Sequence, residues 1–377
     1  MFMLLWATKQ VFLVYKGYVR DRCLEVRLMR VVDRKRRERL EHELLSGDAC
    51  FADCSQGREV YELPDALRTC FQRDHDRIIH CKSFRRLANK TQVFIAPEGD
   101  HYRTRLTHTL EVSQVSCAIA RSLGLNVDLT EAIALGHDLG HTPFGHAGER
   151  ALRAALKAYY QTHGVSETGM ATFEHNEQSV RVVTRLERGG AGLNLSREVT
   201  DGMRCHTNHL RAQTLEGRIV ALADRIAYVC HDIDDAERAG LLVESSLPQE
   251  ACQTLGSRSS ERIATMVNDV VHTSATLGDI EMSPHVWDAM MELRSYLYAN
   301  LYHTGDAKSE EPKAVAVVQW LFDYFVDHMD EVPLDYRMHD DPREVQVADY
   351  LASMTDRFAI RMYEELTVPR AWGMHRW

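Results

Sequence analysis

The 377-residue chain carries no glycine-rich phosphate loop: neither the P-loop spacing nor the dinucleotide-binding one occurs, so an ATPase reading has no support. Strand-like alternation is scarce, and no internal repeat or low-complexity tract is present. The nine cysteines are odd in number and scattered, with no Cys-x-x-Cys pair; Cys50 and Cys54 have helical spacing but no second pair to complete a zinc site. Reduced thiols in a cytoplasmic protein are the expectation. Long apolar runs are missing too. Residues 1–20 hold only the patches MFMLLWA and VFLVY, split by Lys9 and Gln10, too short for a membrane span and without a basic leader or a cleavage site. Positive charge is also short. A net charge of −10 argues against a protein that coats nucleic acid. The exception is Arg27, Arg30, Arg34, Lys35, Arg36, Arg37 and Arg39, read as a solvated helix, with a polyanion site as its rival.

What is present is ordinary globular material, 45% hydrophobic and 27% charged, enough to bury a core. Apolar residues recur at helical spacing through 108–124, 128–141, 147–159, 176–187, 214–238, 261–273, 284–303, 313–330 and 343–366, which predicts an all-α fold. Breaks fall at Pro97–Asp100, His163–Thr172, Gly189–Gly192 and Gly305–Pro312. Met29 opens a stretch that reads as a beginning, so residues 1–28 are expected to be an extension with little structure. A basic helix and connection (29–74), a core (75–240) and a C-terminal helical region packed on it (241–377) follow.

Ionisable residues crowd a few of these helices. His108, the pair His137-Asp138, and Asp224 form a mixed nitrogen and oxygen set that suits a divalent ion left open to water or substrate. Asp224, Tyr228 and Asp232 recur at i, i+4 and i+8 and share one helix face, opposite an apolar face with Ile219, Val220, Leu222, Ile226 and Val229. His141 stands four residues after His137. His146 and Glu149 are i, i+3 on the first turn after Thr142-Pro143-Phe144-Gly145, where Glu149 also complements a helix N-terminus. A lone histidine on an amphipathic helix is ordinarily a satisfied core or surface residue, and His75, His80, His163, His209, His272 and His303 are read so.

The pattern H…HD…D, with FRRLANKTQVF (84–94), RTRLTHTLEV (103–112), GHDLGHTPFGHAGE (136–149), FEHNEQSVR (173–181), ADRIAYVCHDIDD (223–235) and DYLASMTDRFA (349–359) in order, resembles the deoxyguanosinetriphosphate triphosphohydrolases, HD-domain phosphohydrolases, in their shorter bacterial branch. The resemblance covers roughly residues 30–365. It implies the HD helical fold with additional C-terminal helices, and His108, His137, Asp138 and Asp224 as ligands of a divalent metal (Mg2+ or Mn2+, with Co2+ or Fe2+ as alternatives). It also implies a catalytic pair in His146 and Glu149. Phosphate contacts would come from Arg105, His141, Arg225, His175 and Asn176, with Tyr228 and Asp232 on the sugar and Gln92 on its 3′-OH. Arg225 stands where some relatives have Lys, which keeps the charge and alters the geometry. The implied reaction is water attack at the α-phosphorus of a deoxynucleoside triphosphate (dNTP), dGTP by default, in a cytoplasmic homo-oligomer. Two rivals remain: an HD enzyme of nucleoside monophosphates or cyclic nucleotides, and a non-catalytic nucleotide or nucleic-acid sensor. Arg105 and Arg225 argue against the first, and the full residue set against the second.

Overall fold

The computed structural model describes residues 31–92, 103–164, 172–207, 210–301, 310–337 and 340–369. The expected extension 1–28 lies outside them, as do Arg27, Arg30, His209, His303 and the break at 97–100. The chain divides into a unit of residues 1–33 and one of residues 34–377, and every element below belongs to the second. The described residues form helices and no strand; isolated bridges join Arg58 to Ser196 and Thr91 to Thr104. No described helix is long and apolar enough to cross a membrane.

Caps and apolar stripes account for the helices that matter most. The helix α1 (Arg34–Leu44) buries no residue, and its Arg34 and Arg36 pair with Glu38 and Glu43. Next come α2 (Cys70–His80), α3 (Lys82–Arg86) and α4 (Arg105–Leu123). A capping box of Thr104 and Thr107 opens α4, and Gly124, at φ 66°, closes it in a conformation that disfavours a Cβ. Asn126 accepts the Leu129 N–H to start α5 (Val127–Gly136). Then follow α6 (Gly145–His163), α7 (His175–Arg181), α8 (Arg197–Arg204) and α9 (Leu215–Arg238), the last capped by Thr214. The C-terminal part comprises α10 (Gln249–Leu255), α11 (Ser259–Leu277), α12 (Pro284–Asn300), α13 (Glu311–Asp327), α14 (Arg343–Ser353) and α15 (Asp356–Thr367).

Three apolar clusters hold these helices. One joins α4 and α9 to α10, α11 and α12 through Val115, Ile119, Ile226, Met266, Met290 and Leu293. A second joins α6 to α13, α14 and α15 through Leu152, Leu156, Phe322, Phe325 and Leu351. The third joins α2, α5 and α8 through Phe71, Ile78, Ile133, Leu135 and Met203. Burial of such side chains contributes roughly 1.5–3 kcal/mol each. The polar residues discussed below are carried by helices from all three clusters.

The helix expected over 128–141 ends at Gly136, and His137–Gly140 continue as hydrogen-bonded turns with Leu139 N–H to Gly136 O and His141 N–H to Asp138 O. The segment 343–366 is two helices, because Thr355 turns the chain and caps α15. Residues 182–186, expected as α-helix, form a π-helical stretch, and Leu193 N–H bonds back to Val183 O. No apolar period marks α2 in the sequence, because its buried stripe is Phe71, Asp74 and Ile78: a carboxylate paired with Arg58 interrupts it.

Candidate active site

The turn after α5 is compressed enough to dictate its own sequence. A Cβ on Gly140 would strike the backbone of Gln178 and Ser179, and one on Gly148 the Pro143 carbonyl. Phe144 has a left-handed φ of 61°, a costly state for a bulky residue unless its surroundings hold it there. This turn therefore presents His137, Asp138, His141 and His146 from backbone of one conformation.

His108 from α4, His137 and Asp138 from the turn, and Asp224 from α9 converge. His108 Nε2 lies 3.0 Å from Asp224 Oδ1 and 4.0 Å from Asp138 Oδ2. His137 Nε2 lies 3.6 Å from Asp138 Oδ1 and 3.9 Å from Asp224 Oδ1. His137 donates Nδ1–H to Ala134 O at 2.7 Å, which leaves a lone pair on Nε2; that atom is buried without a hydrogen-bond partner among the described residues. A buried, unpartnered imidazole lone pair among carboxylate oxygens fits a divalent cation. His108, His137 and Asp138 offer ligand atoms within 4.8 Å of one another. Burial opposes ionisation of Asp224, but His108 beside it brings its carboxyl down to about 2.

A second set adjoins the first. Arg105, 2% exposed, donates to Asp138 Oδ2 at 2.5 Å, so its guanidinium braces this carboxylate. His141 Nε2 lies 3.4 Å from Asp138 Oδ1, and its ring stacks on His175 at 4.1 Å. Burial, then Arg105 and His175, hold His141 well below the usual imidazole range. Glu149 accepts from His146 Nδ1 at 3.2 Å, from His175 N–H at 3.2 Å and from Arg153 at 3.1 Å. Burial resists its charge, yet the hydrogen bonds from His146 and His175 keep it ionised far below the ordinary carboxyl value. His146 itself is largely exposed. Asn176 donates to Arg204 O at 2.8 Å, so its amide braces the turn after α8.

That turn carries His206, which sequence reasoning missed. It is buried, donates Nδ1–H to Met203 O at 2.7 Å and sets Nε2 3.1 Å from His175 Nε2 and 3.8 Å from Asp138 Oδ1. Burial, then His137 and His175, push it down to about 4, whereas His175 is raised, burial's downward pull being outweighed by Glu149. A charged His175 donating to both Glu149 and His206 satisfies every nitrogen involved. No local signal marks His206 in the sequence.

On α9, beyond Asp224, the Tyr228 hydroxyl accepts from Arg294 Nε of α12 at 2.7 Å, and Arg225 lies over the Trp287 ring at 5.5 Å. Burial raises Tyr228 to about 12, so the phenol stays protonated. Arg294 also went unnoticed in the sequence, standing 66 residues from its partner. Asp232 is buried on the same helix, and Gln92 keeps a buried Oε1 without a partner among the described residues. The arrangement combines metal-type donors, a carboxylate-bound imidazole and guanidinium groups, the chemistry of phosphoester hydrolysis.

Comparison with known proteins decides the family. The HD domain model matches residues 105–229, and the phosphohydrolase-associated domain model matches residues 280–365. A deoxyguanosinetriphosphate triphosphohydrolase-like protein of Caldanaerobacter subterraneus subsp. tengcongensis is 49% identical over 337 residues, covering 89% of this chain and 96% of that protein. The chain belongs to this HD-domain family. Further members, from Desulfatibacillum aliphaticivorans and Clostridium perfringens, carry the same name at 43% and 44% identity, over 89% and 88% of the chain and 98% and 97% of theirs. A hypothetical protein from Aquifex aeolicus, 17% identical over 77% of this chain and 67% of its own, superposes with a TM-score of 0.44, too low to add to the assignment. Membership in the HD family makes the protein a phosphohydrolase and implies a divalent metal. The HD match contains His108, His137, Asp138 and Asp224, and the associated-domain match contains Arg294, Asp349 and Asp356.

Proposed function

We propose that the protein hydrolyses dNTPs, dGTP by default, to the deoxynucleoside and intact triphosphate. The observation that carries the reading is the junction at Asp138: one buried carboxylate lies beside His108, His137, Arg105 and His141, with His146–Glu149 next to it. His108, His137, Asp138 and Asp224 would hold the divalent ion, Mg2+ or Mn2+ first and Co2+ or Fe2+ otherwise. Such an ion, when bound, polarises the α-phosphate and lowers the pKa of water.

The protein's own groups do the rest. Arg105 and His141 flank the phosphates and Arg225 adds donors, while His175, its two ring nitrogens engaged by Glu149 and His206, lies beside them. Glu149 fixes the His146 tautomer by accepting Nδ1–H, which leaves Nε2 to handle a proton. Water oxygen bonds to the α-phosphorus and gives up a proton to solvent, the bond from phosphorus to O5′ breaks, and His146, having taken a proton from solvent on Nε2, delivers it to O5′. Tyr228, held by Arg294, faces the sugar and leaves no room for a 2′-OH. Asp232 and the Gln92 Oε1 take the 3′-OH, and a substrate lacking it would strand the buried Gln92 Oε1. Asn176 acts by bracing the His206 turn. A cytoplasmic homo-oligomer is part of the same proposal.

The test is direct. Each dNTP and its ribonucleotide is incubated with protein and Mg2+ or Mn2+, and products are separated by ion exchange. Deoxynucleoside plus triphosphate, with poor reaction of ribonucleotides, is the expected result. Release of pyrophosphate or single phosphates would sink the proposal, and turnover of monophosphates or cyclic nucleotides instead would favour the rival HD activity.

A further inference from the structure

We infer that Asp356 is a positioning residue: with Lys90 it clamps the 141–145 turn and the segment beside Gln92 into the geometry that catalysis needs. The inference rests on the roles proposed above for His141, His146 and Gln92, and Asp356 touches neither substrate nor metal.

Asp356 is buried at the first position of α15. Its Oδ1 accepts the Phe144 N–H at 3.0 Å and its Oδ2 the Thr91 N–H at 2.9 Å. One carboxylate from the C-terminal region thus joins two segments far apart in sequence, one beside Gln92 and one ending two residues before His146. The positive end of α15 stabilises the charge that accepts both bonds. Phe144 is also the residue with a left-handed φ of 61°. Without an external acceptor, its amide would be a buried orphan on a strained backbone.

Lys90 completes the clamp. Its side chain is fully buried and donates to the carbonyls of His141 and, at 2.7 Å, Ala352. Burial pushes its amine down to about 7. A neutral amine has two N–H groups, and the two carbonyls accept both. The Lys90 carbonyl accepts the Arg105 N–H at 3.0 Å, which carries the clamp to the start of α4 and so to Arg105 and His108. The same C-terminal motif supplies Asp349, which receives Arg181 and Gln178 and so grips α7, the helix of His175. Every phosphate-facing segment named above except α9 is tied by backbone or side chain to residues 349–356 or to Lys90.

The test is Asp356→Asn, nearly identical in shape, whose amide keeps one acceptor and turns a donor at the other N–H. Amide hydrogen exchange of the whole protein should speed at Thr91 and Phe144 by on the order of tenfold, leaving α13 unchanged. The metal content should match wild type, and kcat should fall on the order of 10²-fold with KM little changed, the signature of misplaced reacting groups. Unchanged exchange at both amides, unchanged kcat, or a kcat loss matched by equal metal loss overturns the inference. If wild type cleaves no dNTP, the proposed function fails, while the exchange at Thr91 and Phe144 still decides the clamp. Should Asp356→Asn not fold, Asp356→Glu, which keeps the charge but shifts it by one methylene, is read by the same exchange with the same two outcomes.

Discussion

The pairing of His146 with Glu149 can be tested as a unit. Glu149→Gln keeps the shape of a buried side chain that accepts from His146, His175 and Arg153. The amide turns its own N–H groups toward at least one of those donors and removes the charge that fixes the His146 tautomer. Hydrogen bonds to a charged group are each worth about 1.5–3 kcal/mol, so losing the His146 and His175 bonds releases enough restraint to let the ring rotate away. Loss of a positioned acid/base costs on the order of 10²–10⁴ in rate, or roughly 2.7–5.5 kcal/mol of transition-state stabilisation. Glu149→Gln and His146→Ala should each fall within that range, with metal content preserved. The double variant should be no slower than the slower single, because groups that act together are lost together. Steady-state kcat by triphosphate release, with bound metal measured in parallel, decides. Multiplicative losses in the double variant, or a Glu149→Gln protein with wild-type kcat, would refute the pairing.

Three further outcomes are expected. His137→Ala should abolish hydrolysis and cut bound metal to near zero with helicity intact by circular dichroism; a variant that kept metal and turnover would remove His137 from the ligand set. Tyr228→Ala should bring ribonucleotide turnover toward that of deoxynucleotides, since the ring held by Arg294 is the proposed block to a 2′-OH; unchanged discrimination in competition assays would discard the steric argument. Burial, against hydrogen bonds from Ala52 N–H and Asn126, pushes the Glu41 carboxyl from its ordinary 4.5 to about 7. The folded chain therefore keeps a proton that the unfolded chain releases in that window, so stability is lost as pH rises from about 4.5 to 7 and stays lost above it. Glu41→Gln should gain stability relative to wild type at pH 8 but not at pH 4.5 in urea melts, and an equal gain at both would refute the linkage.

The helices that the sequence made legible are those whose apolar residues recur without interruption, such as α4 with Val112, Val115 and Ile119, and α9 with Ile219, Ile226 and Ile233. Where a buried charge sits in the stripe, as Asp74 does in α2, periodicity fails although burial is complete. The end of α5 was misplaced for a different reason. Turns at His137–Gly140 reuse short-range hydrogen bonds, so the helical spacing runs on past Gly136, where the helix ends. The convergence of His108, His137, Asp138 and Asp224 could be anticipated because each falls within a helix-bearing motif. His206 could not, because its meaning lies in His175, 31 residues away. Arg294 and Asp356 likewise acquire meaning only through Tyr228 and Thr91, and contacts between distant segments leave no periodic trace.

The Lys90–Ala352 bond and the Arg294–Tyr228 bond each cross from the region matching the HD model, or the approach to it, into the region matching the associated-domain model. Sequence families treat these regions as separable modules, but the pocket does not. A chimera taking its first 240 residues from one relative and the remainder from another would inherit half of each handshake. Substitutions at Tyr228 and Arg294, or at Thr91 and Asp356, should therefore drift in step among relatives, and recombination within the gene should be tolerated only where both partners travel together.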